Sequence, residues 1–201
     1  ISYPTEDGQR STGDAYAEDG IQTSHSTYLD GQRDGLQQEW FSNGSIAYET
    51  LYAREVLRSR STWTYHPNGQ PSTKQTYSYT TGVEIHDILT WREDGTLAFV
   101  SHNRNKKPHG IQETYDTAEN LISSRAFQDG IQHGPFRLWF DGGTQLQSES
   151  NYENGKFNGL RTIWNEDGTT KETQEYKDDL RHGEGRNFSR YPSGNLNNEL
   201  Y

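Results

Sequence analysis

The chain has 201 residues, a formal charge of −10 and only 28% hydrophobic residues. The acidic balance argues against nucleic acid and anionic membrane as partners, because both reward Lys and Arg, and favours a partner with a basic surface. The absence of cysteine excludes disulfides, thiolate nucleophiles and thiolate metal sites.

Low apolar content leans towards disorder. Against that, aromatics make up 12% of the chain and recur at fixed spacings. A thin repeat sheet also needs little apolar content, since each unit covers only its neighbours. No run approaches the roughly 20 apolar residues of a membrane-crossing helix. The chain lacks methionine even at position 1. Ile1 is therefore expected to be a processed or trimmed terminus, and removal of a signal peptide or lipoprotein leader is one route to it.

Glycines at Gly20, Gly44, Gly69, Gly95, Gly143, Gly168 and Gly194 mark a repeat of 24 to 26 residues, with one glycine lost near Glu119-Asn120. Four residues before each of the first six stands an aromatic: Tyr16, Trp40, Tyr65, Trp91, Trp139 and Trp164. Tyr115 fills that place in the unit without glycine, and Tyr191 comes one step late. Eight units follow in order: residues 6–28, 29–52, 53–77, 78–102, 103–127, 128–152, 153–176 and 177–201.

The units opening at Asp30-Gly31, Asp129-Gly130 and Asn154-Gly155 are the clearest, each closing on a tyrosine: Tyr52, Tyr152 or Tyr176. Each carries two Asx-Gly turn signals, which supply the positive φ of tight hairpins. Between the turns lie short runs rich in Thr, Tyr, Trp and Leu, which favour strands. No segment has helical periodicity. Even spacing within strands predicts one face carrying aromatic ladders and one mostly polar face. The predicted fold is all-β: an elongated, twisted, single-layer antiparallel sheet of about eight hairpins. Two strands per unit would give about sixteen strands and, at about 4.8 Å each, a length of roughly 75 Å.

Residues 53–109 depart from the pattern. Ala53 to Arg60 has neither turn glycine, and Arg58 and His86 stand where Gly35, Gly134 and Gly159 stand elsewhere. Asn103 replaces the closing tyrosine, and Asn105 to Pro108 replaces a turn. The same stretch carries Trp63, His66, Tyr79, Phe99 and His102. Drift, with the extra aromatics covering a bend, is one reading. A partner site is the other, because Trp and Tyr are enriched among binding hot spots. The candidate partner-binding residues are Trp63, Tyr65, His66, Tyr79, Glu84, Asp87, Trp91 and Glu93, with aromatics as anchors and carboxylates meeting basic groups. Tyr65 and Trp91 also belong to the ladder.

His109, His133 and His182 recur before glycines, but Asp34 and Asn158 fill the same slot, which reads as a turn preference. Acidic pairs such as Glu93-Asp94 and Glu166-Asp167 sit before turns, where solvated carboxylates are ordinary. Zinc, calcium-loop, nucleophile-elbow and P-loop spacings are absent. No enzyme activity, cofactor or metal is expected.

The glycine pair per unit, the aromatic before the second turn and the closing tyrosine resemble the MORN-variant repeat, over roughly residues 6–201. The resemblance implies a binding array. It further implies the antitoxin or immunity type that neutralises a cognate bacterial toxin, such as a type VI secretion phospholipase effector. The location this resemblance implies is the periplasm or the outer membrane, as a lipoprotein with its leader removed; a cytoplasmic location is the alternative. The other functional reading is an envelope scaffold that binds lipid or glycan.

Overall fold

The computed structural model describes residues 8–190 and 196–200, with side chains described through residue 188. Tyr191, Gly194 and Tyr201, and the side chain of Leu196, lie outside the described residues. The chain divides into two compact units, residues 1–95 with 104–106 and residues 96–103 with 107–201.

The first unit contains β1 (Arg10–Tyr16), β2 (Gln22–Leu29), β3 (Gln32–Trp40), β4 (Ile46–Ala53), β5 (Val56–Tyr65), β6 (Pro71–Thr80) and β7 (Val83–Trp91). Each pairs antiparallel with the next, so the unit is a meander. The second unit holds β8 (Leu97–Arg104), apart from its last residue, then β9 (Lys107–Pro108), β10 (Gly110–Tyr115), β11 (Leu121–Gln128) and β12 (Ile131–Trp139). It continues through β13 (Leu146–Glu153), β14 (Lys156–Phe157), β15 (Gly159–Trp164), β16 (Thr170–Lys177), β17 (Leu180–Arg190) and β18 (Leu196–Leu200). Its described pairings are antiparallel as well.

The fold is therefore all-β and built of hairpins. The described residues include 18 strands rather than about sixteen. The surplus has a local cause: single residues, His109 and Asn158, interrupt two long strands and split each in two. Each of these residues sends its N–H to the preceding strand, His109 to the His102 carbonyl at 3.0 Å and Asn158 to the Asn151 carbonyl at 2.9 Å.

Two kinds of turn alternate. One is a three-residue loop seen at Phe41 to Ser45, where Phe41 N–H donates to the Ser45 carbonyl at 2.8 Å and Gly44 N–H to the Phe41 carbonyl at 2.9 Å. Gly44 has φ 81°, the left-handed position such a loop requires. The loop without glycine keeps this geometry. Glu119 takes φ 61° and its N–H reaches the Asp116 carbonyl at 3.2 Å. Asp116 Oδ1 compensates by accepting the N–H groups of Ala118 and Asn120, both at 2.8 Å.

The other turn has two residues with positive φ, as at Asp129-Gly130. Arg54-Glu55 and Asn105-Lys106 adopt the same conformation without glycine, at φ 46° and 65° and at φ 48° and 64°. The turn is thus kept at Arg54-Glu55 although its glycine is missing, and the expectation that Asn105 to Pro108 replaces a turn is corrected: Asn105-Lys106 is one. A left-handed conformation costs an L residue about 1–2 kcal/mol, and here side-chain bonds offset it. Glu55 Oε1 accepts the Arg33 N–H at 2.6 Å, and Asn105 Oδ1 accepts the Glu84 N–H at 3.0 Å.

Turns of successive repeats are also joined by their backbones. Glu55 N–H donates to the Arg33 carbonyl at 2.8 Å, Gly155 N–H to the Gln132 carbonyl at 2.9 Å, and Asp179 N–H to the Phe157 carbonyl at 3.1 Å.

No hydrophobic residue among those described is fully buried; the buried side chains are Gln37, Ser61, Ser101, Ser150 and Gln174. Each unit is a single layer, stabilised by ladder hydrogen bonds and by side chains lying along its faces rather than by a closed core.

Candidate functional site

Strand alternation and register assign the side chains of the first unit to two faces. Tyr52 pairs with Gly35, Tyr48 with Glu39, Arg60 with Tyr77, and Tyr79 with Glu84. One face therefore carries Tyr28, Tyr48, Tyr52, Tyr77 and Tyr79. Leu36 pairs with Leu51 and Trp63 with Lys74 on the other face, which Trp91 shares. The expected division into an aromatic and a polar face is corrected. Tyr52 and Trp40 lie on opposite faces because Tyr52 pairs with Gly35, an odd number of positions from Trp40 along β3.

Four closing aromatics stand opposite a glycine of the neighbouring strand: Tyr52 on Gly35, Phe127 on Gly110, Tyr152 on Gly134, Tyr176 on Gly159; Tyr28 and Tyr77 face side chains instead. In the second unit the rings meet one another, Tyr152 with Phe157 at 4.3 Å and Phe157 with Tyr176 at 5.4 Å between centroids. Burial raises the Tyr152 hydroxyl above its ordinary range.

The tyrosine face of the first unit holds an open furrow of about 340 Å³ lined by Tyr28, Arg33, Gln37, Tyr48, Tyr52 and Arg60. Arg33 lies 4.3 Å above the Tyr52 ring and donates to its hydroxyl at 3.0 Å. Its guanidinium also binds the Glu55 carboxylate at 2.8 Å, which raises it further above its ordinary value. Arg60 sits 5.3 Å from the Tyr48 ring. The Tyr48 hydroxyl is raised by its hydrogen bond to Glu39 and, less, by burial. Below them Gln37 donates to the Thr27 carbonyl at 2.8 Å. Such a surface offers flat stacking groups with fixed donors and acceptors, a composition typical of binding hot spots. Neither Arg33 nor Tyr48 was singled out in the sequence. The alternation of Tyr48 and Tyr52 was the available signal, but the arginines come from other strands.

The eight residues singled out in the sequence fall into three groups. Trp63, Asp87 and Trp91 share one face, with the Lys74 ammonium 4.7 Å from the Trp63 ring. Tyr79 and Glu84 are directly paired on the opposite face. Tyr65, His66 and Glu93 lie at the three-residue loops, where the described contacts join neighbouring repeats. Tyr65 donates to the Ile46 carbonyl at 2.8 Å, packs edge-on against Phe41 at 6.2 Å, and has its hydroxyl raised by burial. His66 Nε2 meets the Trp91 carbonyl at 2.9 Å, and Asn68 donates to the Glu93 carbonyl at 2.6 Å.

Several carboxylates at turns are not merely solvated. Glu55 is lowered mainly by the Arg33 backbone N–H, and Asp116 mainly by the Asn120 side chain. Glu119 Oε1 accepts the Leu97 N–H at 2.6 Å, and Asp179 Oδ1 the Phe157 N–H at 2.8 Å. The slot shared by Asp34, His109, His133, Asn158 and His182 precedes a bulge glycine inside a strand, not a turn glycine. His109 Nδ1 there accepts the Asp129 N–H at 3.3 Å. Among the described residues no group of three or more His, Asp or Glu gathers in metal-binding geometry. Among the described residues no helix is long and apolar enough to cross a membrane.

No curated protein matches the chain. The MORN repeat variant family matches residues 33–53, which run from β3 through a three-residue loop to the end of β4. The match supports a MORN-repeat protein, with the β3–β4 hairpin as the repeat that carries it.

Proposed function

We propose that the chain is a non-catalytic binding array whose partner is a protein. In finer detail, we propose an immunity protein that neutralises a cognate bacterial toxin bearing a basic surface, such as a phospholipase effector of type VI secretion. Its place would be the periplasm or the outer membrane.

One observation carries the protein-binding reading: large apolar side chains stand in water at a recurring position. Leu36, Ile111 and Leu160, each following a bulge glycine, are 38%, 48% and 53% exposed, and Leu51 beside Leu36 is 41% exposed. Recurrent exposed apolar groups on a flat, hydrogen-bonded frame are characteristic of interaction surfaces. The charge of −10 would steer a basic partner. The toxin itself rests on the resemblance of the repeat alone.

The test is a light-scattering titration of the chain against the purified product of the neighbouring gene. A one-to-one complex with loss of that product's toxicity would support the reading; no complex would overturn the toxin pairing. Trp63→Ala should then weaken binding by more than about 1 kcal/mol if this ring is an anchor. Unchanged affinity in a folded variant would remove Trp63 from the interface.

A further inference from the structure

The carboxylates of one edge of the second unit differ from the rest. Glu119, Asp167 and Asp179 each accept a backbone N–H at a turn. Asp141 and Glu166 make no hydrogen bond or ion pair among the described residues, and both are exposed. They border a cleft of about 480 Å³ walled by Trp139, Phe140 and Gln147. A second cavity, about 280 Å³, shares Phe140, Gln147 and Glu166 with it and is also lined by Trp164 and by Lys171, whose ammonium makes this half less acidic than the first.

The register explains the walls. Leu138 pairs with Ser148, and Ser148 with Ile163, so Trp139 and Trp164 point to the same face. One strand separates their strands, which places their backbones roughly 10 Å apart. Gln147 lies between them on that face. Both tryptophans sit where the ladder register shifts, after Leu138 and after Ile163.

We infer that this double cleft is a subsite for the guanidinium or ammonium end of an Arg or Lys side chain presented by a protein partner. Indole and phenyl faces attract cations, and more strongly when the cation is partly desolvated. Two carboxylates without internal partners supply the charge-assisted acceptors that complete the coordination. A neutral or anionic group would leave both carboxylates unanswered. The subsite deepens the proposed binding of a basic protein and rests on that reading for its source of the cation.

The test uses the full chain with indole ¹⁵N–¹H spectra, in which five tryptophans report separately. The probe is a hexa-arginine peptide, with hexa-lysine and hexa-glutamate as comparisons. The Trp139 and Trp164 signals should shift saturably with the basic peptides, while those of Trp40, Trp63 and Trp91 stay in place. Asp141→Asn with Glu166→Gln should weaken the binding at least tenfold without changing the remaining spectrum. Uniform shifts of all five signals, or equal affinity in the double variant, would overturn the subsite. In a complex with a protein partner, unchanged affinity of the double variant would refute the subsite yet leave the partner reading standing. Specific peptide shifts without any protein complex would do the reverse.

Discussion

The hairpins around β12 to β16 and those of β5 to β7 have the same plan but differ at one position. In the first region Gly134 and Gly159 sit in bulges at φ 101° and 96°, and the register slips at each. In the second, Arg58 and His86 occupy that position. β6 and β7 then pair from Thr73–Thr90 to Thr80–Val83 without any slip. The His86 ring lies parallel to Tyr77 at 4.0 Å. The comparison teaches that the repeat glycine is not required for a bulge, since the β4–β5 ladder skips Arg58 between Leu51–Ser59 and Tyr52–Leu57, whereas His86 pairs in register with Tyr77. Nor does the glycine govern whether a hairpin forms. At His86 a side-chain stack on Tyr77 stands where other units have the glycine.

The largest expected effect comes from breaking a bulge. Gly35→Ala should cost about 2–3 kcal/mol, since φ is 101° and a Cβ would meet Thr27 Oγ1 at 2.6 Å. Gly159→Ala has a similar φ, 96°, with nothing within 4 Å, and should cost nearer 1 kcal/mol. Urea midpoints of the two variants compare them directly; equal losses would mean that close packing of the bulge contributes nothing. On the other side of the comparison, His86→Gly should lose about 1 kcal/mol as the stack on Tyr77 disappears. A gain in stability would instead mean that a bulge is preferred there too.

A smaller effect is set by pH. Glu55 and Asp116 are held below their ordinary values of 4.5 and 3.8. Their contribution is complete above those values and is lost as pH falls through the lower folded-state values. Wild-type stability should therefore fall more steeply below about pH 4.5 than that of the Glu55→Gln, Asp116→Asn double variant. Parallel profiles measured by urea denaturation would refute this assignment. The smallest effect is expected for Lys156→Ala. Its ion pair with Asp178 is 3.8 Å long and exposed, so the variant should lose less than about 0.5 kcal/mol of stability.

Much of the fold was legible because it is local. Asp30-Gly31, Asp129-Gly130 and Asn154-Gly155 carry their turn conformation in two adjacent residues. The Arg54-Glu55 turn was not legible, because its compensation comes from Arg33, a full repeat earlier. The candidate site was less legible still. Trp63, Asp87 and Trp91 share a face, but Tyr79 and Glu84 lie on the other, and a single bulge between strands is enough to change such a grouping. The Arg33–Tyr52 and Arg60–Tyr48 contacts join residues that are 12 or more positions apart, so no spacing rule announces them.

The sequence alone determined an all-β repeat of hairpins, its period and its turn positions, since these depend on the φ preferences of a few residues and on period-two alternation. Only the tertiary structure decided which face each ring occupies, which turn carboxylates are bound by backbone N–H groups, and which are left unpaired beside Trp139 and Trp164. Those properties depend on register, and register is set by pairing between strands rather than within them.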